Sequence, residues 1–260
     1  MAPESTPGLL AVERRQQLLD ILALDGKIDI ASASRLLNAS SETIRKDLIA
    51  LHEERQLRRV HGGALPLQTM AFERRVEQRT DHYEEKRRIA EEALNELPPE
   101  GAIFLDSGST TRILAEMLPG DLELTCFTNS IAVAQVLFSQ PSITCYLLGG
   151  RTRGVSGATV GTWALETLSN LMVDVLFAGT NAISFDRGLA TPDGDEADIK
   201  QAMLMHAKRR ILLADHSKFG QDAMFRYAGF DDLDLIITGK ELPGEKRSIL
   251  EERGIEVEYS

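Results

Sequence analysis

The spacing of apolar residues over the first 65 positions predicts three helices. Apolar side chains form one broad face over 11–24 and a smaller one over 31–37. Further along the chain, Ile44, Leu48 and Leu51 recur at positions i, i+4 and i+7, which places them on one side of a helix. Short helices this close together in sequence are typical of a helix-turn-helix unit.

The polar side of the third helix is basic, and a second basic stretch follows it. Ser40 can cap this helix, because its hydroxyl accepts a backbone N–H of the first turn. Arg45 and Lys46 point away from the apolar face. Residues 57–63 are basic and β-like and end in two glycines, as a hairpin tip that approaches DNA would. The pattern predicts an α(+β) winged helix-turn-helix that binds double-stranded DNA, with a small helical bundle that contacts another protein as the alternative.

Charge is divided unevenly along the chain. The whole sequence carries −11, yet residues 1–65 hold nine Lys or Arg and nine Asp or Glu, so the other residues carry all of the excess. DNA binding depends on a local basic patch, and an acidic body repels DNA from the remaining surface. The residues expected to contact DNA are Ser40, Ser41, Thr43, Arg45, Lys46, Arg58, Arg59, His61, Gly62 and Gly63.

A polar segment separates this unit from the rest. Residues 70–96 are highly charged, with opposite charges four positions apart, which predicts a helical connector that packs on the second domain and has a solvated charged face. Two prolines and a glycine at 98–101 end it. The predicted domains are therefore a DNA-binding unit at 9–65, a helical connector at 66–100 and an effector-binding domain at 101–260.

From residue 102 onwards, short apolar runs alternate with helical patterns. The predicted strands are 102–105, 122–127, 143–148, 173–178, 211–214 and 235–238, the last being taken as the final central strand. Apolar strands separated by helices are typical of a parallel sheet that is covered on both faces. The C-terminal domain is thus predicted to be an α/β fold with a mostly parallel, doubly wound sheet.

Small and hydroxylated residues collect where these strands end, which is the edge at which open α/β sheets bind ligands. A glycine-opened loop before a helix presents backbone N–H groups that attract an anion, and a lysine adds a point charge for a phosphate. The candidate ligand contacts are Asp106, Ser107, Gly108, Ser109, Thr110, Thr111, Thr128, Asn129, Ser130, Gly149, Gly150, Gly179, Glu196, Lys200 and Lys218. Alternatively, Lys200 forms an ordinary surface pair with Glu196, and Lys218 is a solvated loop residue.

The sequence indicates no other chemistry. It contains no Gly-x-Gly-x-x-Gly or Walker sequence, so no nucleotide cofactor is predicted. His206 and His216 lack partners at metal-ligand spacing, so no metal site is predicted. Cys126 and Cys145 lie in apolar runs and are expected to be buried, reduced thiols.

The chain is also predicted to be a cytoplasmic protein. Its hydrophobic content of 43% is that of an ordinary globular protein. No apolar run approaches the roughly 20 residues of a membrane span. Residues 1–8 have neither a basic start nor an apolar core, and they predict a disordered lead-in rather than a signal peptide.

Two sets of motifs resemble the DeoR family of bacterial transcription regulators. The stretches Ser-Glu-Thr-Ile-Arg-Lys-Asp-Leu at 41–48 and Leu-Arg-Arg-Val-His-Gly-Gly-Ala at 57–64 are similar to the family's DNA-binding signature. Stretches similar to its effector domain follow in matching order at 106–111, 128–130, 148–150, 195–200 and 215–220. The resemblance runs from about residue 11 to the C-terminus.

This resemblance implies a fold and a function. The family's effector domain is similar in fold to ribose-5-phosphate isomerase and binds phosphorylated sugars or related metabolites. The chain is then expected to be a repressor of a carbohydrate-metabolism operon, whose operator binding responds to a phosphorylated sugar. A homodimer or homotetramer is expected as well, because one winged unit covers little DNA.

Two other functions fit parts of the pattern. An aldose–ketose isomerase would use Glu196, Asp195 or Asp106 as its base. Lys200 would then stabilise an enediolate. An isomerase, however, has no use for a winged helix. A phosphate-binding scaffold without any role on DNA is the remaining alternative, and it would not need Arg45.

Overall fold

A computed structural model describes residues 10–54, 56–65, 73, 76 and 79–260 of the chain. The chain divides into two units, 1–74 and 75–260, each of which is described by itself. The predicted lead-in at 1–8 lies outside the described residues, as does most of the segment 66–78.

The first unit contains the predicted helices and hairpin. Its elements are α1 (Ala11–Asp25), β1 (Ile28–Asp29), α2 (Ile30–Leu36), α3 (Ser41–Glu53), β2 (Arg58–Val60) and β3 (Gly63–Leu65). The strands form an antiparallel sheet in the order β1-β3-β2. Leu18 of α1 and Ile44, Leu48 and Leu51 of α3 are at most 2% exposed, so the apolar face predicted for the third helix is the core of this unit.

The second unit is an α/β structure. Its first elements are α4 (Tyr83–Ala93), β4 (Gly101–Leu105), α5 (Ser109–Met117), β5 (Leu124–Thr128), α6 (Ile131–Leu137), β6 (Ile143–Leu147), β7 (Arg151–Arg153), β8 (Ala158–Val160) and α7 (Thr162–Leu168). They are followed by β9 (Val173–Ala178), β10 (Ala182–Ser184), β11 (Gly188–Thr191), α8 (Gly194–Met205), β12 (Ala207–Leu213), β13 (Phe225–Ala228), β14 (Leu235–Thr238), α9 (Gly244–Glu252) and β15 (Val257–Tyr259).

A parallel sheet organises this unit, with the strand order β15-β14-β12-β9-β4-β5-β6. Successive side chains of β4 alternate between two buried clusters: Phe104 belongs to one, and Ile103 and Leu105 belong to the other. Helices cover both faces because the strands are apolar on both sides. The order also places the carboxyl ends of β9, β4 and β5 side by side, which confirms the predicted doubly wound α/β class.

Some predicted boundaries were wrong where charged residues interrupt the apolar pattern. The strand expected at 211–214 begins at Ala207, because Lys208, Arg209 and Arg210 lie within it. Lys208 forms an ion pair with Asp174 at 2.8 Å, which keeps a charged side chain on a strand. Because these residues are charged, the hydrophobic pattern predicted only the second half of β12.

Other elements were missed altogether. The predicted sheet omitted the hairpin β7–β8, the small sheet β10-β11-β13 and β15, which pairs with β14 beyond the strand taken as the last. The helix expected over 70–96 begins only at Tyr83, and residues 79–82 are not helical. In its described part, the helix packs Ile89, Ala90 and Ala93 into the core of the second unit.

Candidate functional site

The first unit presents a basic helix and a basic hairpin. The hydroxyl of Ser40 accepts a hydrogen bond from the backbone N–H of Thr43 at 3.1 Å, which confirms the predicted cap of α3. Arg45 and Lys46 are exposed on this helix, and Arg45 lies 3.6 Å from Glu42. An exposed pair at this distance holds the guanidinium only weakly, so it can turn to a phosphate or base.

The hairpin is built around two glycines that have different tasks. Gly62 adopts φ +81° at the exposed tip, with open space around its Cα, as expected of a residue that faces DNA. Gly63 is instead buried, and a Cβ there would lie 1.8 Å from the carbonyl oxygen of Ile28. We therefore correct its predicted role as a DNA contact, because it allows β3 to pair closely with β1. Arg58, Arg59 and His61 are exposed.

Asp47 is a residue of this unit that the sequence did not single out. It is 3% exposed, accepts hydrogen bonds from the guanidinium groups of Arg14 and Arg15, and so ties α3 to α1. Removing one partner of a buried ion pair is costly, so Asp47 positions α3 without facing DNA itself.

In the second unit, Asp106 and Lys200 form a buried ion pair at the end of β4. Asp106 Oδ2 accepts hydrogen bonds from Lys200 Nζ and from the backbone N–H of Gly179 at 2.9 Å. Its Oδ1 accepts the N–H of Ser107 at 2.7 Å. Lys200 also donates to the carbonyl oxygen of Gly179 at 2.9 Å. This pair joins the ends of β4 and β9 to α8.

These contacts overturn the alternative in which Lys200 forms a surface pair with Glu196. Lys200 is 5% exposed and pairs with a residue 94 positions away. Burial by itself lowers the pKa of Lys200, but Asp106, Tyr227 and Glu196 together outweigh it and hold the pKa above its ordinary value. Lys200 is therefore a charged ammonium at neutral pH.

Glu196 is buried in a separate part of the same network. Its carboxylate accepts hydrogen bonds from Thr191 Oγ1 and from the guanidinium of Arg153, both at 3.2 Å. Arg153 also lies 3.0 Å from Asp193, which caps α8. Arg153, on β7, is a site residue that sequence reasoning missed, and the only signal was its place three positions after the double glycine at 149–150.

Three of the predicted hydroxyl contacts hold the backbone together. Thr111 Oγ1 donates to the carbonyl oxygen of Asp106 at 2.7 Å, and Thr128 Oγ1 donates to that of Leu105 at 2.6 Å. Ser130 Oγ accepts the N–H of Val133 at 3.3 Å and caps α6. These side chains shape the loops, and each hydroxyl keeps a donor or acceptor position for a further hydrogen bond, so their contact with an effector stays a prediction.

Ser109 and Thr110 are the first two residues of α5, and both side chains carry a hydroxyl. The N–H groups of this first turn have no partner within the helix. Gly108 precedes them as the capping residue. Beside this turn, Asn129 follows β5 and is 2% exposed. Its Oδ1 has no hydrogen-bond partner among the described residues. Buried side-chain oxygens usually accept a hydrogen bond, so Asn129 Oδ1 is a candidate acceptor for a donor from a ligand or from water.

The remaining glycines differ in their surroundings. Gly149 is exposed and has open space around it, whereas Gly150 has φ +141° and lies against β8, with Val160 O 2.6 Å from the position of a Cβ. Gly150 therefore permits the turn into β7. Gly179 has only ordinary contacts at the position of a Cβ, and both of its backbone polar groups belong to the Asp106–Lys200 network.

Lys218 lies in a different cluster from Lys200. It follows β12, is 3.9 Å from Asp215, and influences the buried ammonium of Lys86 electrostatically. Burial tends to raise the pKa of Asp215, but Lys218, Ser217 and Lys86 together hold it below its ordinary value. Lys218 is half-buried and partly neutralised, so the structure does not join the two predicted cations in one contact.

His216 also departs from its prediction. It was expected to lack partners at metal-ligand spacing, yet its Nδ1 lies 2.7 Å from Glu85 Oε2, and its ring centroid lies 4.6 Å from that of His82. His206 contacts the carbonyl oxygen of Leu171 through Nδ1 at 3.1 Å. Cys126 is buried and Cys145 is partly buried, and both are free thiols, as predicted. In the described part of the chain, no helix has both the length and the hydropathy to cross a membrane.

Comparison with known proteins gives matches over both units. Residues 14–69 match the DeoR-like helix-turn-helix domain, and residues 81–240 match the DeoR C terminal sensor domain. The HTH-type transcriptional regulator GlpR of Haloferax volcanii is 33% identical over 250 residues, covering 96% of this chain and 98% of that protein. The HTH-type transcriptional repressor GlcR of Bacillus subtilis is 32% identical over 254 residues, covering 94% of this chain and 95% of that protein.

Among solved structures, ribose 5-phosphate isomerase A from Methanocaldococcus jannaschii has a TM-score of 0.38 at 18% identity, over 52% of this chain and 53% of that chain.

Proposed function

We infer the function of this chain from the premise that it belongs to the DeoR family of DNA-binding transcription regulators. It is a regulator rather than an enzyme, as its relatives are. We propose that it represses a carbohydrate-metabolism operon in the cytoplasm and that a phosphorylated sugar modulates its binding to operator DNA. The repressor GlcR, which is similar over nearly the whole chain, supports repression.

The observation that carries the effector proposal is the buried Asn129 side chain, whose Oδ1 lacks a partner among the described residues. An amide oxygen accepts a hydrogen bond, and sugar hydroxyls are donors. The strand order places β5 beside β4, so Asn129 lies next to the loop 106–109. We therefore assign Asn129 to a hydroxyl of the effector.

The phosphate is assigned to the first turn of α5. Backbone N–H groups at a helix N-terminus attract an anion, and the hydroxyls of Ser109 and Thr110 add donors. The Ser107 hydroxyl is 3.5 Å from Asp106 Oδ1, to which it donates, and would have to turn from it to reach the phosphate. Lys200 has three N–H donors, of which Asp106 and Gly179 accept two. The third remains for an effector oxygen, held in place by the pair with Asp106.

On DNA, we assign α3 to the major groove and the hairpin to the flanking backbone. Arg45 and Lys46 are exposed on α3 and can reach bases or phosphates. Arg58, Arg59 and His61 are exposed on the hairpin and can contact phosphates. A homodimer or homotetramer would read two half-sites, because a single winged unit covers little DNA.

The substitution Asn129→Ala tests the effector assignment. The side-chain oxygen has no partner among the described residues, so the ligand-free protein should lose mainly the packing of a small buried side chain, about 1 kcal/mol, and its melting temperature without ligand is the baseline. Loss of one hydrogen bond to the effector should weaken effector binding by about tenfold. The measurement is a thermal-shift titration with a panel of pentose, hexose and triose phosphates, because a ligand that binds the native state raises the melting temperature.

Asn170→Ala is the matched control, because Asn170 is exposed after α7 and donates only to neighbours on its own helix. It should keep the effector response of the wild type. An Asn129→Ala protein with wild-type effector affinity would contradict the assignment of Asn129. Operator binding that no phosphorylated sugar alters would contradict the proposed regulation.

A further inference from the structure

Two histidines and a glutamate meet in the second unit, where His216 joins the neighbouring residues His82 and Glu85 from 131 positions beyond Glu85. His82 directly precedes α4, Glu85 lies in its first turn, and His216 follows β12. His216 Nδ1 lies 2.7 Å from Glu85 Oε2, and His82 Nδ1 lies 4.0 Å from the same oxygen. The two imidazole rings are 4.6 Å apart at an interplanar angle of 78°. The effector proposal does not use this group.

Each of the three residues offers one ligand atom, and these atoms all lie within 4.8 Å of one another. Zinc binds imidazole nitrogen and carboxylate oxygen at about 2.0–2.2 Å, so ligands on neighbouring corners of a tetrahedron lie about 3.3 Å apart. The separations of 2.7 and 4.0 Å between the imidazole nitrogens and Glu85 Oε2 lie on either side of that spacing. Two imidazoles and one carboxylate are a donor set that divalent zinc, cobalt and nickel accept.

The surrounding contacts hold these ligands in place. Glu85 is 3% exposed, and its Oε1 accepts the backbone N–H of His216 at 2.7 Å, which leaves Oε2 directed at the imidazoles. Lys86 Nζ donates to the carbonyl oxygens of Arg79 and Asp81, at 3.0 and 2.7 Å, and so fixes the backbone that leads into His82. Supporting contacts of this kind orient the ligands of known metal sites.

Negative charge also lies beside the group. A Cβ at Gly239 would lie 2.3 Å from Glu85 Oε1 and 2.4 Å from Glu241 Oε2, so both carboxylates occupy space that only glycine leaves open. Glu241 accepts a hydrogen bond from Arg88, which offsets part of its charge. His82 is 39% exposed, so an ion can enter from solvent on its side.

We propose that His82, Glu85 and His216 bind a divalent transition-metal ion of the zinc class, with one or more coordination positions left to water. The ion would join the N-terminal end of α4 to the turn after β12, two segments that are 131 residues apart at Glu85 and His216. The competing interpretation is a simple hydrogen bond between His216 and Glu85 with His82 uninvolved, and it predicts no metal uptake.

The test uses the untagged, full-length protein after treatment with a chelator and dialysis. Cobalt(II) is titrated while visible absorption is recorded, and zinc is then added to displace it. We expect one cobalt ion per chain, with absorption bands typical of nitrogen and oxygen ligands. His82→Ala and Glu85→Gln should each lower the affinity by at least about tenfold.

His61→Ala is the matched control, because His61 is exposed and belongs to the first unit. It should bind cobalt as the wild type does. Circular dichroism melting without metal identifies variants that fail to fold. If Glu85→Gln fails to fold, His82→Ala provides the test, because His82 is the exposed ligand. Absence of stoichiometric cobalt binding in the wild type, or binding that His82→Ala leaves unchanged, would overturn the proposal.

Discussion

Asp106 and Lys200 form an ion pair in the interior of the second unit, and both also bond to the backbone of Gly179. Tyr227 completes the arrangement, because its hydroxyl donates to the Gly179 carbonyl oxygen at 3.2 Å. One carbonyl oxygen thus receives two donors from residues on α8 and β13. At the residue scale, the side chains of the candidate effector site are held in place by hydrogen bonds to backbone groups that they share, such as the carbonyl oxygen of Gly179.

The tyrosine of this arrangement should make the protein sensitive to alkaline pH. Burial raises the pKa of Tyr227 from 10.0 to about 12. A tyrosine whose pKa is higher in the folded than in the unfolded state contributes fully to stability below the unfolded pKa. This contribution is lost as the pH rises, so it should decline from pH 10.0 to about 12. The free energy of unfolding in urea should fall more steeply over this range for the wild type than for Tyr227→Phe.

The difference should approach about 1.4 kcal/mol per pH unit, the value for one proton. At neutral pH, Tyr227→Phe should cost about 1 kcal/mol, because one hydrogen bond is lost. Tyr146→Phe serves as the control, since Tyr146 is 53% exposed. Parallel pH profiles for the wild type and Tyr227→Phe would show that the tyrosine does not titrate in this way.

At the scale of elements, the helix α3 and the hairpin β2–β3 turn their charged side chains outward while their apolar sides form one core. Leu48 and Leu57 are at most 1% exposed, whereas Arg45 and Arg59 are exposed. The hairpin reaches its tip at Gly62, where φ is +81°. The fold of this unit therefore presents the helix and the hairpin as two separate basic surfaces.

Arg59→Ala should weaken operator binding without altering which sequence is preferred. A contact with a phosphate contributes counterion release, so its loss should reduce the slope of log affinity against log salt concentration by about 0.9. The measurement is fluorescence anisotropy with operator and unrelated DNA at several salt concentrations. Arg112→Ala, an exposed arginine of α5 paired with Glu116 at 3.0 Å, should bind DNA as the wild type does. An unchanged slope for Arg59→Ala would remove the hairpin from the DNA contacts.

At the scale of the whole molecule, each unit has its own apolar core. The core of the first unit includes Leu18 and Ile44, and the two clusters on the faces of the parallel sheet belong to the second. The division between 74 and 75 lies within the predicted connector at 66–100, and α4 packs into the core of the second unit. A unit with a core of this kind should fold without the other.

Residues 75–260 produced alone should therefore fold and respond to the effector. We expect a cooperative thermal transition and an effector-induced rise in melting temperature equal to that of the full chain, with no operator binding. Thermal-shift and anisotropy titrations of the fragment beside the full chain provide the measurement. A fragment that melts without cooperativity would mean that the sensor unit depends on residues before 75.

Local patterns determined the order and type of most elements from the sequence alone. Hydrophobic periodicity reports which side of a helix or strand is buried, and this correctly predicted β9 at Val173–Ala178, β14 at Leu235–Thr238 and the apolar face of α3. The cap at Ser40 was also predicted correctly, because it depends only on residues three positions apart. The edge carrying the candidate effector residues followed as well, because parallel strands have their carboxyl ends on one side.

Tertiary structure alone decided which residues meet. Lys200 pairs with Asp106 rather than Glu196, and His216 meets Glu85, because the strand order joins segments that the sequence separates by 94 and 131 residues. Likewise, only the pairing of β1 with β3 made Gly63 a packing residue. The sequence shows which residues carry charges or hydroxyls and therefore need partners. Which partners they meet depends on distances in the folded chain, and local sequence patterns do not specify those distances.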